Sequence, residues 1–261
     1  MIDAYDPPCQ RGLGMRPLVA ANWKMHKTLK EAEHYLRRLL TLIPPEPPVE
    51  LAVFPPFTAL SLAAQILHGS PAALGAQDGY PDKEGAFTGA DSMYQLADLG
   101  VKYVLCGHSE RRRIFGETDE LVAAKVQGAW SYGLTPILCV GETLPERQAG
   151  KAQEVVEKQL SAALSAGLAG PLVIAYEPVW AIGTGVPAHP HEVQDMARRI
   201  RGWLLARFGE RGSLVRIQYG GSVHPENARD FLRLPGIQGA LVGGASLDPE
   251  RFWQIARAAI A

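Results

Sequence analysis

The chain is predicted to be an α/β protein of the (β/α)8 barrel class, eight parallel strands closed into a barrel with an outer ring of helices. Three observations predict it. Short β-branched apolar runs recur eight times along the 261 residues. Segments of helical period, opened by helix-starting residues, separate them. No change of composition divides the chain, and α/β barrels commonly reach this length as one unit. The runs are PLVAANW (17–23), VELAVF (49–54), AALGAQ (72–77), VKYVLCG (101–107), TPILCVG (135–141), PLVIAY (171–176), LVRIQYG (214–220) and QGALVG (238–243). Their near-continuous apolar character suits parallel strands buried on both faces. Thr28 precedes LKEAEHYLRRLL, Thr58 precedes ALSLAAQIL, and Thr118 precedes DELVAAKVQGAW. KAQEVVEKQLSAAL, HEVQDMARRIRGWLLARF, PENARDFLRL and PERFWQIARAAI complete the helical segments. Strict alternation implies right-handed βαβ units. An open doubly wound sheet is the rival arrangement, but no GxGxxG follows the first strand.

Residues 1–14, MIDAYDPPCQRGLG, are acidic early and lack an apolar core, unlike a signal peptide or membrane anchor. They are expected to be a flexible extension, with Met15 as an alternative start and 15–261 forming one barrel domain. The stretch 159–176, free of Asp, Glu, Lys, Arg and His, is broken by Gly167, Gly170 and Pro171, which argues against a transmembrane reading of it. With 26 basic and 27 acidic residues, the balance gives no electrostatic reason for a nucleic-acid or membrane partner. Arg111–Arg113 and Arg198, Arg199 and Arg201 are the basic concentrations, expected on solvated or ion-paired helix faces. Three cysteines cannot make a disulfide framework, which indicates a reducing, cytoplasmic setting. Cys106 and Cys139 lie in apolar runs and are expected to be buried; Cys9 is expected to be exposed.

A barrel does its chemistry at the carboxyl ends of its strands. Those ends carry Asn22 and Lys24 after the first run, His108 after the fourth, Glu177 after the sixth, Gly220–Gly221–Ser222 after the seventh and Gly243–Gly244 after the eighth. Taken singly, each has a bland explanation: an ion-pair partner, a polar cap, a solvated lysine, tight turns. Jointly they place a carboxylate, an imidazole, an ammonium and two glycine turns on one rim. The glycines let backbone N–H groups approach an anion, and following helix starts add positive potential. No HExxH or CxxC spacing is present, no cofactor is expected, and His189 and His191 suit the start of a helix. A carboxylate base, a hydrogen-bond donor and a phosphate anchor fit proton transfer beside the carbonyl of a small sugar phosphate.

At these residues the sequence resembles the triosephosphate isomerase family. ANWKMHKT (21–28), GHSERRRIFGETDE (107–120), AYEPVWAIGTG (175–185), YGGSV (219–223) and LVGGASL (241–247) carry the resemblance, which runs from about Arg16 to the end. It implies the TIM barrel and the reversible conversion of dihydroxyacetone phosphate and glyceraldehyde 3-phosphate through an enediol. By it Glu177 matches the base and His108 the electrophile, kept neutral by the helix start after it. Lys24 would offset substrate charge, Asn22 would donate to the oxyanion, and Glu110 would be tied to Lys24. Gly183, Ser222, Gly243 and Gly244 would bind substrate phosphate.

Residues 178–188 would form a lid that keeps water from the intermediate. Trp180 would contact Glu142. The family's loop 85–92 implies a homodimer with Thr88 as the reaching residue. The sequence departs there: Ala90 stands where the family usually has Glu, leaving Asp91 as a substitute partner for Arg111. It departs again at the lid's exit, where Val186, Pro187 and Ala188 should stiffen the hinge. Two other readings are open: an isomerase of a related tetrulose phosphate, and a catalytically idle barrel that senses phosphometabolites.

Overall fold

A computed structural model describes residues 15–182 and 188–260. Its strands are β1 (Leu18–Asn22), β2 (Glu50–Phe54), β3 (Ala72–Ala76), β4 (Tyr103–Cys106), β5 (Thr135–Val140), β6 (Val173–Tyr176), β7 (Arg216–Tyr219) and β8 (Gly239–Val242). They form a closed barrel in sequence order, each pair parallel. Pairing of Leu18 to Ala21 with Gly239 to Val242 closes it. The rival open sheet is thereby excluded.

Alternation along each strand divides the core in two. Leu18, Ala20, Phe54, Leu105, Ile137, Cys139, Ala175 and Leu241 fill the barrel interior. Val19, Ala21, Leu51, Val53, Val104, Leu138, Ile174 and Val242 face the helices. Both sets are buried, which is why the strands appear in sequence as unbroken apolar runs rather than alternating ones. Gly75 is required by space: a Cβ there would stand 2.3 Å from the Phe54 ring.

The helices are α1 (Leu29–Leu42), α2 (Leu60–Leu67), α3 (Met93–Asp98), α4 (Ser109–Phe115), α5 (Asp119–Ser131), α6 (Leu144–Gln148), α7 (Ala152–Ala163), α8 (Pro190–Phe208), α9 (Glu210–Ser213), α10 (Ala228–Leu232) and α11 (Pro249–Ala258). Thr28 caps α1 with a reciprocal Glu31 contact, and Thr118 caps α5. His189 is the cap residue of α8, its N–H donating to Glu192 at 2.8 Å. Thr58 does not cap α2. It lies inside a 3₁₀ turn, Phe57–Ala59, launched by the extended Pro56, so α2 begins two residues later. None of the described helices is long and apolar enough to cross a membrane.

Among the basic concentrations, Arg111 pairs with Asp78 at 2.8 Å and with Glu117, and Arg112 pairs with Asp119 at 2.6 Å. Arg198 makes an exposed pair with Asp195. Arg201 departs from the expectation of a solvated or ion-paired face. It lies on the buried stripe of α8 with Ala197, Ile200 and Leu204, and its guanidinium donates to the Gly212 and Val215 carbonyls at 2.5 and 2.6 Å. Burial pushes its pKa down to about 10. Cys106 and Cys139 are buried free thiols, and Cys9 lies outside the described residues.

Candidate active site

The carboxyl rim gathers the predicted side chains by strand register. Asn22 ends β1, buried, and its Oδ1 accepts the Lys24 N–H at 3.0 Å. That bond and a second one, from Gln77 Nε2 to the Lys24 carbonyl at 2.8 Å, hold Lys24 at φ 53°, a left-handed conformation costly for a side-chain-bearing residue. The Lys24 ammonium pairs with Glu110 at 2.6 Å. Gln77, just after β3, carries neither charge nor a glycine motif, so the pattern of residues at strand ends does not point to it.

His108 follows β4 and caps α4. Its Nδ1 accepts the Glu110 N–H at 3.3 Å, and its Nε2 lies 3.0 Å from Glu177 Oε1. Asn22 Nδ2 stands 3.4 Å from the same Nε2. Glu177 follows β6, is 2 % exposed, and accepts the Ser109 N–H on Oε2 at 2.9 Å. A backbone donor such as that of Ser109 has no signature in side-chain identity, so no residue pattern signals it.

Burial alone would raise the Glu177 pKa. The Nε2–H of His108, the Ser109 N–H and Lys24 together outweigh burial and hold the carboxyl below its ordinary 4.5. At His108 burial works downward, and the Glu177 and Glu110 carboxylates pull the pKa upward past it. A second proton, however, would have to enter at Nδ1, which already faces a backbone N–H donor. On that hydrogen-bond pattern the ring is the neutral tautomer, its one proton on Nε2 and donated to Glu177.

These groups line a cavity of about 460 Å³ with Gly220, Gly221, Ser222, Gly243, Gly244, His224 and Arg251. Gly220 is there for room, since a Cβ would stand 2.8 Å from Glu177 Cγ. At Gly243 a side chain would press toward the Lys24 Cε, 3.4 Å from the Cβ position. Ser222 Oγ donates to the Ala181 carbonyl at 2.8 Å, tying the turn after β7 to the segment after Glu177. In that segment Trp180 Nε1 donates to Glu142 at 2.9 Å, as the resemblance implied. The Tyr176 hydroxyl shares the fully buried Glu142 carboxylate, 3.1 Å away. A larger cavity, about 620 Å³, opens at the opposite end of the barrel among Arg16, Pro47, Glu50 and Lys102, by the amino ends of β2 and β3.

The structure thus brings together Asn22, Lys24, His108, Glu110, Glu177, Ser222, Gly243 and Gly244. Thr88 stands apart on loop 85–92, in its exposed part, residues 85–90. Gly183, Val186 and Pro187 lie outside the described residues. Arg111 already has Asp78 and Glu117 as partners within its own chain, so the missing loop glutamate leaves it paired. Arg251 and His224 were not singled out from sequence, because neither sits at a strand end.

A closed parallel barrel whose carboxyl rim opposes a buried carboxylate–imidazole pair to glycine turns defines the class of barrel enzymes that move protons on small anionic substrates. The triosephosphate isomerase family model matches residues 17–259. The chain is 51% identical over 249 residues to the triosephosphate isomerase of Carboxydothermus hydrogenoformans, covering 94% of this chain and 99% of that one. It is 52% identical over 248 residues to that of Symbiobacterium thermophilum, covering 93% and 96%. With that of Aquifex aeolicus the identity is 46% over 244 residues, covering 92% and 98%. The chain belongs to the triosephosphate isomerase family, and it is an aldose–ketose isomerase acting on triose phosphate.

Proposed function

We propose that Glu177 and His108 carry the proton transfers between dihydroxyacetone phosphate and glyceraldehyde 3-phosphate, with Lys24 and Asn22 supporting the charge that develops. The observation that carries this reading is the 3.0 Å contact of His108 Nε2 with Glu177, opening onto a glycine-lined cavity beside Lys24. Without substrate, Glu177 is occupied by the Nε2–H and the Ser109 N–H. A carbonyl oxygen entering beside His108 would take over the Nε2–H and leave the carboxylate to the carbon next to it.

Glu177 then removes a proton from that carbon. The C–H electron pair forms the carbon–carbon double bond, and the carbonyl pair moves onto oxygen, where Nε2–H, Lys24 and Asn22 Nδ2 stabilise it. Return of the proton from the Glu177 carboxyl to the neighbouring carbon, with His108 passing protons between the two oxygens, completes the aldose–ketose exchange. Glu110 supports Lys24, and the phosphate is seated by the turns at Ser222 and at Gly243–Gly244, with Gly183 as a further donor.

A coupled assay of glyceraldehyde 3-phosphate turnover tests the assignment. Glu177→Gln should lower kcat by about 10² to 10⁴ or more, the contribution of a positioned base. Rates comparable to wild type would sink it.

The same reading makes 15–261 a single domain, supported by the closure of β8 on β1. It makes the protein a homodimer through loop 85–92 with Thr88 at the contact. Support comes from the large apolar side chains exposed on the segments after the first four strands: Met25, Phe57, Phe87, Ile114 and Phe115. A cytoplasmic location is supported by the sparse cysteines, of which Cys106 and Cys139 are free.

A further inference from the structure

The active-site cavity contains a cation that the proton-transfer machinery does not use. Arg251, in the first turn of α11, lines the cavity at the end formed by Gly221, Ser222, Gly243 and Gly244. Lys24 also lines it, but its charge is met by Glu110 at 2.6 Å. Arg251 is held far more loosely. Among the described residues its one ion-pair contact is with Glu226 at 3.7 Å, with both side chains about half exposed or more. That carboxylate is already engaged by His224 Nδ1 at 2.7 Å. A pair that long and that exposed is worth little, so the guanidinium keeps most of its field and its freedom to turn. Contrast Arg111, Arg112 and Arg216, each within 2.8 Å of a carboxylate. Elsewhere in the cavity Glu177 contributes negative charge, which opposes entry of an anion. Positive potential at the mouth must come from a group that is not neutralised.

We propose that Arg251 is a specificity residue for the phosphate of the substrate, drawing the dianion to the glycine end and pairing with its solvent-facing oxygen. Arginine suits the role: its planar fork is always charged and matches phosphate geometry. Charge lining a concave mouth raises the encounter rate with an oppositely charged ligand, and that part of the effect is screened by salt.

The proposal rests on the reading that the Ser222 and Gly243–Gly244 turns seat phosphate, and the two can fail separately. Kinetics of glyceraldehyde 3-phosphate turnover are measured across ionic strength for wild type, Arg251→Gln, Arg251→Lys and, as a charge-matched control, Arg257→Gln on the same helix. Inhibition by inorganic phosphate is measured alongside. Arg251→Gln should raise KM roughly three- to tenfold with kcat within about twofold, weaken phosphate inhibition in parallel, and flatten the fall of kcat/KM with salt. Arg251→Lys should recover most of the salt dependence. Arg257→Gln should match wild type. If Arg251→Gln leaves KM, the salt slope and phosphate inhibition unchanged, Arg251 is a surface charge and the proposal is overturned. If inorganic phosphate does not compete with substrate in wild type, the phosphate seat itself is misplaced.

Discussion

Glu177 shows how a single carboxylate is tuned by conflicting neighbours. Its burial favours the protonated form, and the Nε2–H of His108 and the Ser109 N–H favour the ionised one, with the latter prevailing. A depressed carboxyl pKa means that the base is ionised throughout the neutral range. Titration of the Glu177 carboxyl carbon by NMR in the free enzyme should therefore give a midpoint below pH 4.5, and a midpoint at pH 6 or higher would contradict the tuning. The same pKa depression contributes stability above the unfolded pKa of about 4.5 that is lost as pH falls through the folded value. Space matters as much as charge. Gly220→Ala would put a methyl group 2.8 Å from Glu177 Cγ and displace the carboxylate. Because misplacing a reacting group by about 1 Å costs on the order of 10²-fold, kcat should fall by about ten- to a hundredfold, with KM changed far less. Unchanged kcat would show that Glu177 does not need the room.

Among elements, the strands divide their labour by end. At their carboxyl ends they hold the reactive groups. At their amino ends, β2, β4 and β7 are joined by charge: Glu50 receives the Tyr103 hydroxyl at 2.6 Å, Lys102 at 2.5 Å and Arg216 at 2.7 Å. Burial pushes the Glu50 pKa up, but these three donors outweigh it and bring the carboxyl down to about 2. The folded pKa is the depressed one, so the stabilisation is complete above the ordinary 4.5 and lost as pH falls toward 2. Glu50→Gln should cost about 2 kcal/mol near neutral pH, the scale of charge-assisted hydrogen bonds. Denaturant titrations of both proteins should converge as pH drops through that window. A difference that stays constant with pH would mean the carboxylate charge is not what joins the strands.

For the whole molecule, the apolar side chains of loop 85–92 and of the segments carrying Met25, Phe57, Ile114 and Phe115 need a partner surface if they are to leave water. Sedimentation should give twice the chain mass at micromolar concentration. Thr88→Arg should raise the dimer dissociation constant at least about tenfold, the scale of about 1.4 kcal/mol for a central contact. A concentration-independent monomer mass for the wild type would remove the dimer and leave the apolar loops unexplained.

By itself the sequence determined the eight strands, their order and the rim residues Asn22, Lys24, His108, Glu177 and Ser222. Strands buried on both faces are written as unbroken apolar runs, and a parallel barrel presents its chemistry wherever those runs stop. Local capping chemistry was legible at Thr28 and Thr118, and misleading at Thr58, where Pro56 starts a 3₁₀ turn first. The tertiary structure alone decided that Arg201 faces the core, that Gln77 holds the Lys24 backbone and that Arg251 reaches the cavity. It also decided that the Ser109 amide meets Glu177 across 68 residues of chain. Such contacts join elements distant in sequence through backbone groups or through helix faces set by packing. Residue identity and spacing encode periodicity along one element; which atoms of two elements meet is decided only when the barrel closes.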